Sequence, residues 1–146
     1  MSLIKAAFDA AENGDSGALE KLIREGVSPD AVDDDDSLLS VAAIRGHLDC
    51  VRLLLDRGAN PNGPKNDGGP GYFASHRRSN VAVIREILTC GGRIDIRREG
   101  DCSQTILMHC AADELDTSNL IELLKHKPDL EARNDDDESA LSYAAA

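Results

Sequence analysis

The sequence predicts an all-α fold: a solenoid of stacked helix–turn–helix units joined by hairpin loops. Three observations predict it. Gly26, Gly58 and Gly91 each follow a leucine-rich segment and lie 32 and 33 residues apart, and Gly14 and Gly46 repeat the step of 32. Short alanine-rich segments alternate with leucine-striped ones along the chain. Residues are 41% hydrophobic but only 3% aromatic, with no Trp. A core of that composition comes from Leu, Ile, Val and Ala in close helix–helix contact, not from a pocket lined with rings.

The elements follow in order. "DAAENG" (Asp9 to Gly14) and "SVAAIRG" (Ser40 to Gly46) read as short first helices, each ended by a glycine able to take a positive φ. Alanine suits them because the helices of the next unit lie close against them. "ALEKLIREG", "DCVRLLLDRG", "VIREILTCGG" and "NLIELLKHK" read as second helices, with Leu and Ile recurring at i, i+3 and i+4. After each comes a polar, turn-forming stretch: "VSPDAVDDDD", "ANPNGPKNDGG", "RIDIRREGDCSQ" and "PDLEARNDDDE". A unit of this size cannot hide its own apolar flank, so the units must stack.

A family resemblance now becomes visible. The segments "SLLSVAA" (Ser37 to Ala43), "ILMHCAA" (Ile106 to Ala112) and "SALSYAA" (Ser139 to Ala145) resemble the T-P-L-H-x-A-A signature of ankyrin repeats. "LLLDRGANPN" (Leu53 to Asn62) is similar to the companion pattern L-L-L-x-x-G-A-D-x-N. The resemblance spans residues 1–146 as one ankyrin-repeat domain of about four and a half repeats, drawn at about 1–30, 31–62, 63–95, 96–131 and a partial 132–146. Three departures stand out. The third repeat has "PGYFASH" (Pro70 to His76) in place of the signature, so its first helix is expected to be short, bent or late to start. The fourth has Lys127, followed by Pro128, where the others have glycine. The fourth also runs three residues over the period, within "RREGDCSQ", which predicts a longer finger loop there.

Charge narrows the function. The formal net charge of -11 repels phosphate backbones and anionic headgroups, so neither nucleic acid nor membrane is the expected partner. The longest apolar run, Leu38 to Ile44, is broken by Ser40 and too short to cross a bilayer. The start, "MSLIKAAFDAAENGD", has acidic residues and no long apolar stretch, so it does not read as a signal peptide. Cys50, Cys90, Cys102 and Cys110 show no C-x-x-C spacing and read as reduced thiols. A cytoplasmic or nuclear location is the expectation.

No catalytic, cofactor or metal site is expected. The runs Asp33 to Asp36 and Asp135 to Glu138 lack the alternating ligands, central glycine and distant glutamate of a calcium loop. They read as solvated fingertips. "GPKNDGGPG" (Gly63 to Gly71) lacks the G-K-[S/T] of a phosphate-binding loop. The competing reading is a hydrolase using Cys110 or His76. His109 adjoins Cys110, but neighbours on a helix point apart, and nothing near His76 looks like a paired nucleophile. For His47 and His109, the resemblance implies structural hydrogen bonds to backbone.

The expected function is non-enzymatic binding of a partner protein, as an adaptor, an inhibitor or the ankyrin section of a longer protein. The resemblance implies a concave surface made by the fingers and the exposed end of each first helix. The two residues after each alanine pair fall there: Glu12 and Asn13, Ile44 and Arg45, Arg77 and Arg78, Asp113 and Glu114. The fingers add Asp34, Asp35, Asp36, Asn66, Asp67, Ser103, Asp135 and Asp136. Such a surface suits a segment with basic residues against the fingers and an acidic or polar group near Arg45, Arg77 and Arg78. The last helix has no second helix after it in the sequence, so the expectation is either further residues beyond Ala146 or association with another chain through that end.

Overall fold

A hydroxyl sets the start of the first helices. In the computed structural model, which describes residues 2–64, 69–77, 80–97, 103–113 and 116–146, α1 (Leu3–Asn13) begins where the Ser2 hydroxyl accepts the Lys5 N–H at 3.1 Å. The signature position repeats the device. Ser37 accepts from Ser40 N–H ahead of α3 (Leu38–Arg45), Thr105 from Met108 N–H ahead of α7 (Ile106–Ala111), and Ser139 from Ser142 N–H ahead of α9 (Ala140–Ala145). Each side-chain oxygen satisfies a first-turn N–H that has no partner within the helix. Gly14 and Gly46 end α1 and α3 at φ 75° and 77°.

The third unit departs from this pattern, and of the alternatives that the sequence suggests its first helix is short but not late. Pro70 is the second residue of α5 (Gly69–Ser75), which starts early rather than late. Proline fits the first turn because it lacks an N–H that would otherwise go unpaired. Gly69, at φ 75°, is required on steric grounds: a Cβ there would stand 2.9 Å from the Asn62 carbonyl oxygen. The helix is short, at 7 residues.

The second helices are α2 (Ser16–Arg24), α4 (Leu48–Asp56), α6 (Val81–Thr89) and α8 (Ser118–Lys125). The first helices touch one another in sequence order, as do the second helices, so the chain forms two adjoining rows. Between the rows lie the buried members of the stripes: Leu19, Val51, Leu54, Ile84, Ile87 and Leu123. Burying each contributes roughly 1.5–3 kcal/mol. In the first-helix row the contacts are small, with Ala7, Ala11, Ala42, Ala43 and Ala74 all buried. The fold is therefore the all-α stack of helix–turn–helix units that the sequence predicts.

Each second helix ends on a left-handed residue: Gly26, Gly58, Gly91 and, in the fourth unit, Lys127 at φ 54°. The backbone turn survives although the glycine does not.

The fingers are short hairpins. β1 (Val32–Asp33) pairs antiparallel with β2 (Asp36–Ser37), and the two residues between them, Asp34 and Asp35, both have positive φ. That is the tight hairpin geometry whose twist matches the strands. In the longer finger Arg97 pairs with Thr105, so seven residues intervene where the first hairpin has four between Val32 and Ser37. The three extra residues therefore lie in this finger.

Candidate partner-binding face

Polar side chains first fix the helix ends that present the face. His47 Nε2 lies 2.9 Å from the Glu12 carbonyl oxygen. Asn80 Nδ2 donates to the Ala43 and Ala74 carbonyls at 3.0 and 2.9 Å, and Asn119 Nδ2 donates to the Arg77 carbonyl at 2.8 Å. Each reaches back from the start of a second helix to the last turn of the preceding unit's first helix, where carbonyls lack intrahelical partners. The structural role expected of His47 is thus present.

Beside these ends the face is hollowed. Phe8, Glu12, Asp36, Val41, Ile44 and Arg45 line an open depression of about 380 Å³ between α1, α3 and the first finger. Phe8, Val41 and Ile44 make it apolar, and Ile44 is 38% exposed. Arg45 pairs with Glu12 on the neighbouring helix, so its guanidinium is already engaged. Arg77 is exposed and lies across Gly46, where a Cβ would stand 2.5 Å from its Nε. Among the described residues Arg77 makes no ion pair, and no cation pairs with Asp33, Asp34, Asp35 or Asp36.

Of the residues singled out from the sequence, Ile44, Arg45 and Asp36 meet around this depression, with Asp35 on the exposed fingertip beside it. Asp113 is half-buried at the end of α7. Arg78, Asn66, Asp67 and Glu114 lie outside the described residues. Sequence reasoning missed Phe8 and Val41. Helical spacing held the signal, because Phe8 precedes Glu12 by four residues and Val41 precedes Ile44 by three.

It also missed an aromatic cluster. The His76 and His109 rings stack with centroids 4.0 Å apart and planes at 25°, and the Tyr72 ring lies 4.9 Å from His76 and 5.7 Å from His109. His76 Nδ1 is 3.0 Å from the Tyr72 carbonyl oxygen. The two histidines come from neighbouring units, His76 just past the end of α5 and His109 within α7.

Next to this cluster, burial pushes the Cys110 thiol up to about 12, against a smaller opposing effect of its hydrogen bond with Ser75. The Cys50 thiol is also raised, by burial first and then by Asp49 and Asp15. A thiol held that high stays protonated near neutral pH, which is unsuited to nucleophilic attack. Among the described residues no helix is long and apolar enough to cross a membrane.

Comparison with known proteins gives two results. A family profile described as ankyrin repeats, in 3 copies, matches residues 7–82. The chain is similar to the mouse (Mus musculus) protein named inactive serine/threonine-protein kinase TEX14, at 33% identity over 99 residues. That match takes in 67% of this chain and 7% of the relative's length.

Proposed function

This chain belongs to the ankyrin-repeat family, and we propose that it is a non-enzymatic module that binds a partner protein through its finger-and-helix face. It serves as an adaptor, an inhibitor or the ankyrin section of a longer protein, in the cytoplasm or nucleus. The match to the mouse relative covers too little of that protein for its kinase description to bear on this chain. The protonated state of the buried Cys110 thiol argues against the hydrolytic alternative.

One observation carries the reading: an apolar-floored depression stands beside four finger carboxylates that have no cationic partner among the described residues. A fitting partner segment sets an aliphatic or aromatic side chain on Phe8, Val41 and Ile44. It places Lys or Arg against Asp35 and Asp36, and a carboxylate toward Arg77. Arg45, Arg78, Asn66, Asp67, Asp113 and Glu114 complete the proposed surface.

The test uses Ile44→Asp and Arg77→Glu, each checked for unchanged helical circular dichroism. Proteins retained from a native lysate by the wild-type chain should be lost or reduced at least several-fold with both variants. Equal retention by wild type and variants would remove this face as the binding site.

A further inference from the structure

A second hollow lies between the first finger and the base of the next. We propose that this notch receives an arginine side chain of the partner protein, against Asp30. The inference rests on the reading of the finger-and-helix face and adds to it one named side chain and its place.

Asp30, Val32, Ser37, Asn60, Gly63 and Pro64 line the notch, an open cavity of about 210 Å³. The hairpin register separates it from the depression beside α1 and α3. Val32 pairs with Ser37 and Asp33 with Asp36; paired residues share a face of the hairpin, and successive residues alternate. Val32 and Ser37 line the notch, whereas Asp36 lines the depression. The first finger therefore stands between two hollows.

Hydrogen bonding singles out one atom in the notch. Asn60 uses both ends of its amide: Oδ1 accepts the Asn62 N–H at 3.0 Å, and Nδ2 donates to the Gly63 carbonyl at 3.1 Å. The Ser37 hydroxyl accepts the Ser40 N–H at 3.0 Å and lies 2.9 Å from the Ser40 hydroxyl. Asp30 Oδ1 accepts the Asn60 N–H at 2.7 Å, but Asp30 Oδ2 has neither a hydrogen-bond partner nor a cation among the described residues. The carboxylate is nonetheless held in place, because the Asp30 N–H also donates to the Ser28 hydroxyl at 3.2 Å. Exposed ion pairs are weak partly because both groups must be ordered. Here one is ordered beforehand.

The lining selects the occupant. One carboxylate cannot hold a calcium ion, which takes about six to eight oxygens, and the described residues contain no group of three metal-ligating side chains. The notch is also smaller than the roughly 300–1,000 Å³ of small-molecule sites. Val32 and Pro64 give it apolar walls, suited to the hydrocarbon stem of a basic side chain whose charged end meets Asp30. Arginine fits better than lysine. Its guanidinium is planar and weakly hydrated, and it can give one N–H to Oδ2 while a second reaches the remaining lone pair of Oδ1. The net charge of -11 draws a cation toward this finger.

The probe is Nα-acetyl-arginine amide, titrated into the full chain and followed through backbone amide chemical shifts. The Asn60 and Gly63 N–H signals should move along a saturable curve. Nα-acetyl-citrulline amide, close in shape but uncharged, should move them at least fivefold less at equal concentration. Asp30→Asn should cause the same loss with circular dichroism unchanged, since its Oδ1 can still accept the Asn60 N–H. Ile44→Asp, outside the notch, should leave the curve as it was. Shifts that do not saturate, an equal response to citrulline, or shifts centred on Asp33 to Asp36 would overturn the proposal. So would a several-fold stronger response in Lys65→Ala, which would assign the notch to this chain's own lysine. The lysate comparison of Ile44→Asp and Arg77→Glu reads the wider face separately. Lost retention without arginine saturation would sink the notch alone, and arginine saturation with unchanged retention would uphold the notch and remove the wider face.

Discussion

Arg85 clasps Glu122 through two parallel hydrogen bonds, Nε to Oε1 and Nη2 to Oε2, both 2.9 Å, across the α6–α8 contact. Related pairs, Arg57 with Glu20 and Arg52 with Glu86, join the other second helices. Glu122 is different because its side chain is almost wholly buried and also meets Lys125 and His126. Two-point pairing with a planar guanidinium is the strong form of this interaction.

The Arg85 guanidinium, with Lys125 and His126 adding to it, holds the Glu122 carboxyl well below its usual range, against the opposing effect of burial. A depressed folded-state value means that the charged form stabilises the fold. That stability is fully present above the unfolded value of 4.5 and is lost as pH falls below it toward the folded value. Glu122→Gln should therefore lower the urea midpoint at pH 7, and the gap from wild type should narrow steadily as the medium is acidified below pH ~4.5. A gap that does not change with pH would mean that ionisation of Glu122 does not matter to the stack.

Asn80 is buried and gives both hydrogens of its amide to carbonyls of two different units. Asn80→Ala strips two acceptors of their donor at once and should cost about 2–3 kcal/mol in urea unfolding. Asn80→Asp should be no better, because its carboxylate cannot donate to either carbonyl.

Lys127 holds a left-handed conformation that costs a side-chain-bearing residue about 1–2 kcal/mol. Lys127→Gly relieves this but gives the unfolded chain more freedom, worth about 0.5–1 kcal/mol. The net expectation is a stabilisation of roughly 0.5–1 kcal/mol by denaturant titration, and a loss of stability would contradict it.

Thiol chemistry separates the cysteines. Cys90 is exposed, while Cys50 and Cys110 are buried with raised pKa values. In a Cys102→Ser background, an alkylating reagent followed by mass spectrometry should mark Cys90 rapidly. Cys50 and Cys110 should react only as fast as the protein opens. Fast modification of Cys110 in the folded protein would restore the hydrolytic reading.

The period and stripe pattern made the helical rows legible, since Gly26, Gly58 and Gly91 do occupy left-handed positions at equivalent helix ends. The extra length of the fourth finger was legible from counting alone. Pro70 was harder to interpret: the missing signature suggested a helix that is short, bent or late, whereas proline's own fit to a first turn lets it start early. The family resemblance singled out Ile44, Arg45 and Asp36 by their place in the repeat, and the depression gathers them. Their contacts were not legible. Nothing local announces that Arg45 is engaged by Glu12, because that pair spans one full repeat and exists only once the units stack. The stacking of His76 on His109 is hidden in the sequence for the same reason.

His47, Asn80 and Asn119 all reach backward, from a later unit to the carbonyls of an earlier one. Shortening the array from its far end strips donors from a helix terminus that remains, whereas shortening it from the near end only returns a side chain to water. The array therefore has a polarity, and loosening that begins at α9 should travel toward α1 more readily than the reverse.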